Sequence, residues 1–238
     1  MLVRQDCLDY RDFVREHQSY VYPMLASHLS RIHRGRLKRV LDAGVGPGNL
    51  SVECVALLDV ETVGIDVNPV MLELAAAHAA ADPHAAGRVE LVLADAHQLT
   101  FDDASFDAVV SYSCFHHWAR PETALRELMR VLRPGGTLLV IDTDRDGRAA
   151  MSARTRRMEP RFARFVTEAF DESWTIAAVR DLAGRAALPG VSVTAFGFTE
   201  EDLVGALDRL VDVRFGSALD KGDDGPAVAW RLWGRKPS

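Results

Sequence analysis

Cysteine is scarce in this sequence. The chain has 238 residues and three cysteines, which are an odd number and do not lie close together in pairs. A disulfide framework uses an even number of cysteines, and a zinc site uses closely spaced ones, so neither is expected. We therefore expect no bound metal ion, and we expect a reducing compartment, the cytoplasm.

Long apolar runs and an excess of positive charge are lacking as well. No apolar stretch is long enough to cross a membrane, and no basic segment followed by an apolar one opens the chain. Neither a membrane span nor a secretory signal is expected. The formal net charge of -6 disfavours a nucleic-acid polyanion as the main partner.

A glycine-rich loop that follows an apolar run is the most informative feature present. The stretch from Val40 to Leu50 reads VLDAGVGPGNL. Glycine has no Cβ, so such a loop can adopt positive φ and let a ligand touch the main chain. The next segment, from Asn49 to Leu58, has a helical pattern that would place unpaired N–H groups beside the loop. We predict that the loop binds a flat and partly anionic ligand.

The spacing of these glycines distinguishes two kinds of nucleotide loop. A dinucleotide fingerprint needs G-x-G-x-x-G, and counting from Gly44 the third glycine position holds Asn49. The pattern present is D-x-G-x-G-x-G, from Asp42 to Gly48. It resembles motif I of the class I S-adenosylmethionine-dependent methyltransferases. A structural turn of the same composition is the alternative interpretation.

Acidic residues at the ends of the next two strand-like runs agree with this resemblance. The run that ends at Asp66 places a carboxylate about 20 positions beyond the loop, where it can accept hydrogen bonds from both ribose hydroxyls. Asp66 also fits the start of the helix predicted from Pro69 to Ala80. The run over residues 89–94 leads into Asp95, which the resemblance implies is a contact to the adenine amino group.

The alternation of apolar runs with helical patterns predicts the fold class. It is typical of an α/β protein with a parallel sheet, in which ligands bind at the carboxyl ends of the strands. The resemblance, which covers residues 38–142 closely, implies a Rossmann-like sheet of seven strands, mostly parallel, with helices on both faces and a C-terminal antiparallel hairpin. We predict that hairpin at residues 211–217 and 227–233. A single domain is expected, with a helical cap (1–37), a cofactor-binding core (38–142), a helical lid and substrate region (143–198), and a closing helix with the hairpin (199–238).

The histidines after the fourth predicted strand are candidates for the chemistry. The resemblance implies that His116 and His117 lie near the methyl donor. Histidine titrates near neutrality and can accept the proton of a hydroxyl or an activated C–H group. Alternatively, one ring only shapes the loop through a hydrogen bond to the backbone.

The resemblance also implies a set of cofactor contacts. A tyrosine of the N-terminal segment, Tyr10 or Tyr20, could close over the methionine end of the cofactor, although aromatic residues at helical spacing are more often core. The residues predicted to bind the cofactor are Asp42, Gly44, Gly46, Gly48, Asp66, Val67, Asp95, Ala96, Ser111 and Tyr20.

Arginines crowd the segment from 145 to 164. They could hold a carboxylate or phosphate group of the substrate through bidentate hydrogen bonds. Alternatively, they face water and pair with nearby acidic residues. The sequence therefore leaves open whether the substrate is anionic.

These observations together predict methyl transfer from S-adenosylmethionine to a small molecule, at oxygen, carbon or nitrogen, with S-adenosylhomocysteine as product. Three alternatives stay open: a different reaction with the same cofactor, a protein or RNA acceptor, and a cofactor-binding subunit without activity. The sequence also leaves open whether the chain forms a homodimer.

Overall fold

Seven strands form one mixed sheet. The computed structural model describes residues 2–209 and 228–237. The strands are β1 (Arg39–Ala43), β2 (Glu61–Asp66), β3 (Val89–Leu93), β4 (Phe106–Tyr112), β5 (Leu132–Thr143), β6 (Val191–Phe196) and β7 (Ala229–Arg235). Their order is β3-β2-β1-β4-β5-β7-β6, in which β1 to β5 run parallel and β7 is antiparallel to both neighbours. The predicted fold class is confirmed.

Helices connect most of these strands and cover the sheet. The α-helices are α1 (Arg4–Phe13), α2 (Val21–Ile32), α3 (Asn49–Leu58), α4 (Pro69–Ala81), α5 (Pro121–Val131), α6 (Arg148–Thr155), α7 (Pro160–Glu172), α8 (Ile176–Ala186) and α9 (Glu200–Ala206). A short π-helix, Val14–Gln18, follows α1. None of the described helices combines the length and the apolar character that crossing a bilayer requires.

Two apolar clusters lie on opposite faces of the sheet. Successive residues of a strand point to opposite faces, and accordingly Val40 belongs to one cluster and Leu41 to the other. The first cluster contains Leu29 of α2, whereas the second contains Leu125 and Leu128 of α5. Each fully buried leucine contributes roughly 1.5–3 kcal/mol to the free energy of unfolding, so both helical layers hold the sheet in place.

The sheet brings the carboxyl ends of its parallel strands to one edge. Leu41 of β1 lies opposite Val63 of β2 on one side and Val109 of β4 on the other. The chain order reverses between β1 and β4, and open parallel sheets bind ligands at such a reversal. The turns that follow β1, β2, β3 and β4 therefore share this edge.

The C-terminal antiparallel pair is present, but its strands are β6 and β7. Residues 191–196 lie in the segment predicted as a helical lid, and they form a strand because the sequence VSVTAF is rich in β-branched residues. Its partner, β7, covers Ala229–Arg235. The first strand of the expected hairpin, residues 211–217, lies outside the described residues.

Candidate active site

The glycine loop after β1 has positive φ at all three predicted positions. The φ values are +85° at Gly44, +50° at Gly46 and +88° at Gly48. A Cβ on Gly44 would collide with Sγ of Cys114, and one on Gly48 would lie 2.9 Å from Cα of Ala75. For Gly46 the nearest described atom is Cε1 of Tyr10, at 4.0 Å. Two glycines thus allow close packing, while a Cβ at Gly46 would meet no described atom nearer than the Tyr10 ring.

Asp42, before the glycine loop, is bonded to the helix after the loop. Its side chain is buried at the end of β1, and the hydroxyl of Ser51 in α3 donates a hydrogen bond to Oδ2 over 2.8 Å. Burial raises the pKa of Asp42 to about 7, although the bond from Ser51 opposes the shift. The carboxyl group therefore joins β1 to the helix that follows the loop.

Asp66 joins the glycine loop to the turn after β2. Its Oδ2 accepts a hydrogen bond from the N–H of Gly46 over 3.0 Å, and its Oδ1 accepts one from the N–H of Asn68 over 2.8 Å. Burial raises the pKa of Asp66 even though both bonds oppose the shift. The N-cap of α4 is Asn68, whose side chain accepts from Val70, so the alternative capping role belongs to Asn68.

Asp95 follows β3 and is partly exposed. Its Oδ1 accepts hydrogen bonds from the backbone N–H of His97, over 2.9 Å, and from the ring of His97. Desolvation raises the pKa of Asp95, but the bonds from His97 outweigh it and hold the pKa below its usual value. The carboxylate is therefore charged at neutral pH and fixed in orientation.

Two exposed apolar side chains lie at the same strand ends as these carboxylates. Val67 follows directly after β2, and Leu93, which the sequence analysis did not single out, is the last residue of β3. Leu93 lies opposite Asp66 in the parallel register. Ala96, which follows Asp95, is buried. Apolar groups exposed at neighbouring strand ends offer a surface on which a flat ring can lie.

His116 is held by a carboxylate that the sequence analysis did not assign. Its Nδ1 lies 2.9 Å from both carboxylate oxygens of Asp142 in β5, and its backbone N–H donates to Oδ2 over 3.0 Å. Burial lowers the pKa of His116, but the charge and hydrogen bond of Asp142 outweigh burial and raise the pKa overall. The ring is therefore fixed in orientation through Nδ1.

His117 lies beside this pair and is exposed. The two imidazole centroids are 4.0 Å apart, and Nδ1 of His117 lies 3.4 Å from Oε2 of Glu172, the last residue of α7. The structure thus brings His116, His117 and Glu172 together, with one potential ligand atom from each within 4.8 Å of the others.

Tyr10 of α1 is the tyrosine that lies beside the loop. Its hydroxyl bonds to the side chain of Ser113, and burial raises its pKa to about 12. Its ring packs edge-on against Phe165 of α7 at 5.3 Å between centroids. Tyr20 packs against the large apolar cluster that Tyr10 also contacts and against a smaller cluster around Met24. Its role as a cofactor contact stays a prediction.

Ser111 has a structural partner. Its buried hydroxyl donates to the carbonyl oxygen of Ala43 over 2.7 Å, which ties β4 to β1 at the edge where the loop begins. The side chain that meets Tyr10 is Ser113, two residues further on, where φ is +53°. Contact of Ser111 with the cofactor therefore also stays a prediction.

Three arginines of the 145–164 segment form ion pairs with acidic residues of this chain. Arg148 pairs with Asp171, and Arg161 pairs with Glu159. Arg164 bonds to Asp6 of α1 over 2.5 Å. These contacts favour the interpretation in which the arginines form surface ion pairs, and they weaken the case for an anion-binding role.

Comparison with known proteins identifies the family. Residues 41–140 match the family model described as a methyltransferase domain. Residues 41–140 of this chain therefore form a domain of the class I S-adenosylmethionine-dependent methyltransferase type. The match agrees with the predicted family, with the predicted enzyme class and with S-adenosylmethionine as the cofactor of that family.

Similar proteins include enzymes with different acceptor atoms. The O-methyltransferase rstn1 of Aspergillus nomiae is 37% identical over 112 residues, which are 47% of this chain and 49% of that protein. The ubiquinone/menaquinone biosynthesis C-methyltransferase UbiE of Azotobacter vinelandii is 36% identical over 125 residues, which are 52% of this chain and 48% of that protein. The chain spans about half the length of these curated relatives.

A solved structure agrees with the fold over nearly the whole chain. The plantazolicin methyltransferase BpumL, in complex with a triazolic desmethyl analogue and S-adenosylhomocysteine, superposes with a TM-score of 0.71 at 16% sequence identity. The match covers 97% of this chain and 90% of that one. This likeness shows the fold, and it leaves the acceptor of the methyl group open.

Proposed function

We propose that this chain transfers a methyl group from S-adenosylmethionine to a small molecule, at an oxygen or carbon atom that must lose a proton. The observation that carries this proposal is the pairing of a cofactor-binding edge with an oriented histidine. The edge consists of the glycine loop with Asp66 and Asp95, and the histidine is His116, held by Asp142. The net charge and the scarcity of cysteine further support a small acceptor in the cytoplasm.

The residues of the edge fit the parts of the cofactor. Gly46 has no side chain, and a Cβ there would meet no described atom nearer than 4.0 Å, so the main chain can lie close to the amino acid end. Asp66 and Asp95 supply carboxylate oxygens that can accept from the ribose hydroxyls and from the adenine amino group. Val67 and Leu93 supply an apolar surface at the same strand ends. When bound, S-adenosylmethionine supplies an electrophilic methyl group without further activation by the protein.

His116 is suited to take a proton from the acceptor. When neutral, a ring that donates its Nδ1–H to Asp142 carries its lone pair on Nε2. The raised pKa of His116 favours holding the proton once it has been accepted. Asp142 is a positioning residue, since it fixes the ring through two oxygens at 2.9 Å. An acceptor with a hydroxyl or an activated C–H group needs such a base, which agrees with relatives named O- and C-methyltransferases.

Methyl transfer can be tested without knowing the acceptor. The purified chain is incubated with methyl-labelled S-adenosylmethionine, a chelator, and a metabolite extract treated with nuclease and protease. We expect label in a small molecule whose mass rises by one CH2 group. Label that appears only in untreated protein or RNA, or release of cofactor products without any methylated acceptor, would contradict the proposal.

The role of His116 is tested with the same assay. We expect His116→Asn to lower kcat roughly 10²–10⁴-fold, because the general base is lost, while affinity for S-adenosylhomocysteine measured by calorimetry is unchanged. His84→Asn, at an exposed histidine that has no role in the proposed site, is the matched control. A variant at His116 that keeps the wild-type kcat would limit that ring to shaping the loop.

A further inference from the structure

The cluster of His116, His117 and Glu172 has a second possible use besides proton transfer by His116. Asp142 occupies Nδ1 of His116, so Nε2 is the ring atom left for a ligand. His117 and Glu172 are exposed and lie 3.4 Å apart. One ligand atom from each of the three residues lies within 4.8 Å of the other two. Metal binding would require the exposed side chains of His117 and Glu172 to rotate toward His116.

We propose that His116, His117 and Glu172 bind one divalent transition-metal ion of the zinc type. Two imidazoles and one carboxylate are a ligand set that suits Zn2+ and its neighbours, whereas Mg2+ prefers oxygen ligands. Three protein ligands leave one or more positions open to water or another small ligand. The initial expectation of no metal ion was based on the spacing of the cysteines, which gives no information about a site made of two histidines and one glutamate.

Asp142 gives the cluster the outer support that metal sites use. A ligating histidine usually donates its other ring N–H to a carboxylate, which fixes the ring and raises its basicity. Asp142 is buried and contacts Nδ1 of His116 through both oxygens, so His116 is already oriented. His117 follows directly in the same short 3-10 turn, and Glu172 comes from the end of α7.

Metal binding has a consequence that rests on the proposed function. The ion would take the lone pair on Nε2 of His116, which the proposed proton transfer also needs. A bound ion would therefore inhibit methyl transfer, and a chelator would restore it. His116 would then serve both the reaction and its control by a metal.

Binding is measured first, without cofactor or acceptor. Metal-free full-length chain is titrated with Zn2+ in a calorimeter and with Co2+ by visible absorption. We expect one ion per chain and a Co2+ spectrum typical of nitrogen and oxygen ligands. Glu172→Gln and His117→Asn should each weaken binding about 10-fold or more. The matched controls, Glu168→Gln on the same helix and His84→Asn, should bind as the wild type does.

Several results would overturn the metal site. These are the absence of binding, binding that the variants at Glu172 and His117 leave unchanged, and binding that the two controls weaken equally. Calorimetry with S-adenosylhomocysteine on the same metal-free sample separates the two proposals. If that ligand binds and Zn2+ does not, the metal site fails while the proposed function stands; if Zn2+ binds and the nucleoside does not, the reverse holds.

Discussion

Asp42 is a carboxyl group whose ionisation the fold makes costly. Burial raises its pKa from 3.8 to about 7, against the opposing bond from Ser51. Between these two values the native state holds a proton that the unfolded state has lost. The free energy of unfolding therefore falls as the pH rises through this window, and above it the full cost of the buried charge is present.

This cost can be removed with an isosteric amide. We expect Asp42→Asn to gain on the order of 2 kcal/mol in free energy of unfolding, relative to the wild type, between pH 5 and pH 8, because the amide cannot ionise. Urea unfolding of both proteins at the two pH values measures the difference. Asp102→Asn, at an exposed residue, should show the same offset from the wild type at both pH values. An Asp42→Asn offset that does not grow with pH would contradict the assignment.

Local pattern predicted some site residues and left others unassigned. The glycines and Asp66 were predictable because they follow apolar runs directly. Asp142 could not be assigned to His116, since the two are 26 positions apart and meet only because β5 lies beside β4. Leu93 carried a usable signal, because it is an apolar residue at a strand end that faces the site.

In the loop between β1 and α3, Gly48 serves packing, whereas we assign Gly46 to ligand binding. A Cβ at Gly48 would meet the backbone of α4 at 2.9 Å with φ at +88°, while a Cβ at Gly46, with φ at +50°, would only touch Cε1 of Tyr10 at 4.0 Å. At either position, alanine in the left-handed backbone conformation lowers the free energy of unfolding by roughly 1–2 kcal/mol. The steric conflict adds to this only at Gly48.

Gly48→Ala should therefore mainly reduce stability, and Gly46→Ala should mainly reduce ligand affinity. We expect Gly48→Ala to lower the free energy of unfolding by roughly 1–3 kcal/mol more than Gly46→Ala does. Gly46→Ala should weaken S-adenosylhomocysteine binding more, because its methyl group occupies the space left for the ligand. Urea unfolding and calorimetry on each variant measure the two effects. If both variants lose the same stability and bind S-adenosylhomocysteine equally well, Gly48 and Gly46 do not have separate packing and binding roles.

Secondary structure was most predictable where the sequence marks the start of a helix clearly. The bounds of α3 agree with the predicted helix, and α9 begins after Thr199 with a capping box to Asp202. β6 was missed because it is an edge strand with only two buried residues, so its apolar signal is weak. The π-helical turn Val14–Gln18 has no distinctive sequence pattern.

The site depends on segments from distant parts of the chain. Tyr10 of α1 lies over the loop after β1 and packs against Phe165 of α7. Arg164 of α7 bonds to Asp6 of α1, which adds a partly exposed ion pair to the same contact. Helices α1 and α7 therefore pack against each other, and Tyr10 of this pair contacts the glycine loop. A ligand at that edge binds the assembled fold and not the unfolded chain.

Ligand binding should consequently stabilise the entire chain. At 100 times its Kd, S-adenosylhomocysteine adds about 2.7 kcal/mol to the free energy of unfolding. For a chain of 238 residues this corresponds to a rise in Tm of about 5–10 °C. Asp66→Ala should shrink the shift at the same ligand concentration, because the ribose loses its acceptor, whereas Asp102→Ala should keep it. Thermal unfolding with and without ligand measures all three proteins. An equal shift for wild type and Asp66→Ala would remove Asp66 from the site, because a carboxylate that contacts the ribose cannot be deleted without changing the affinity that produces the shift.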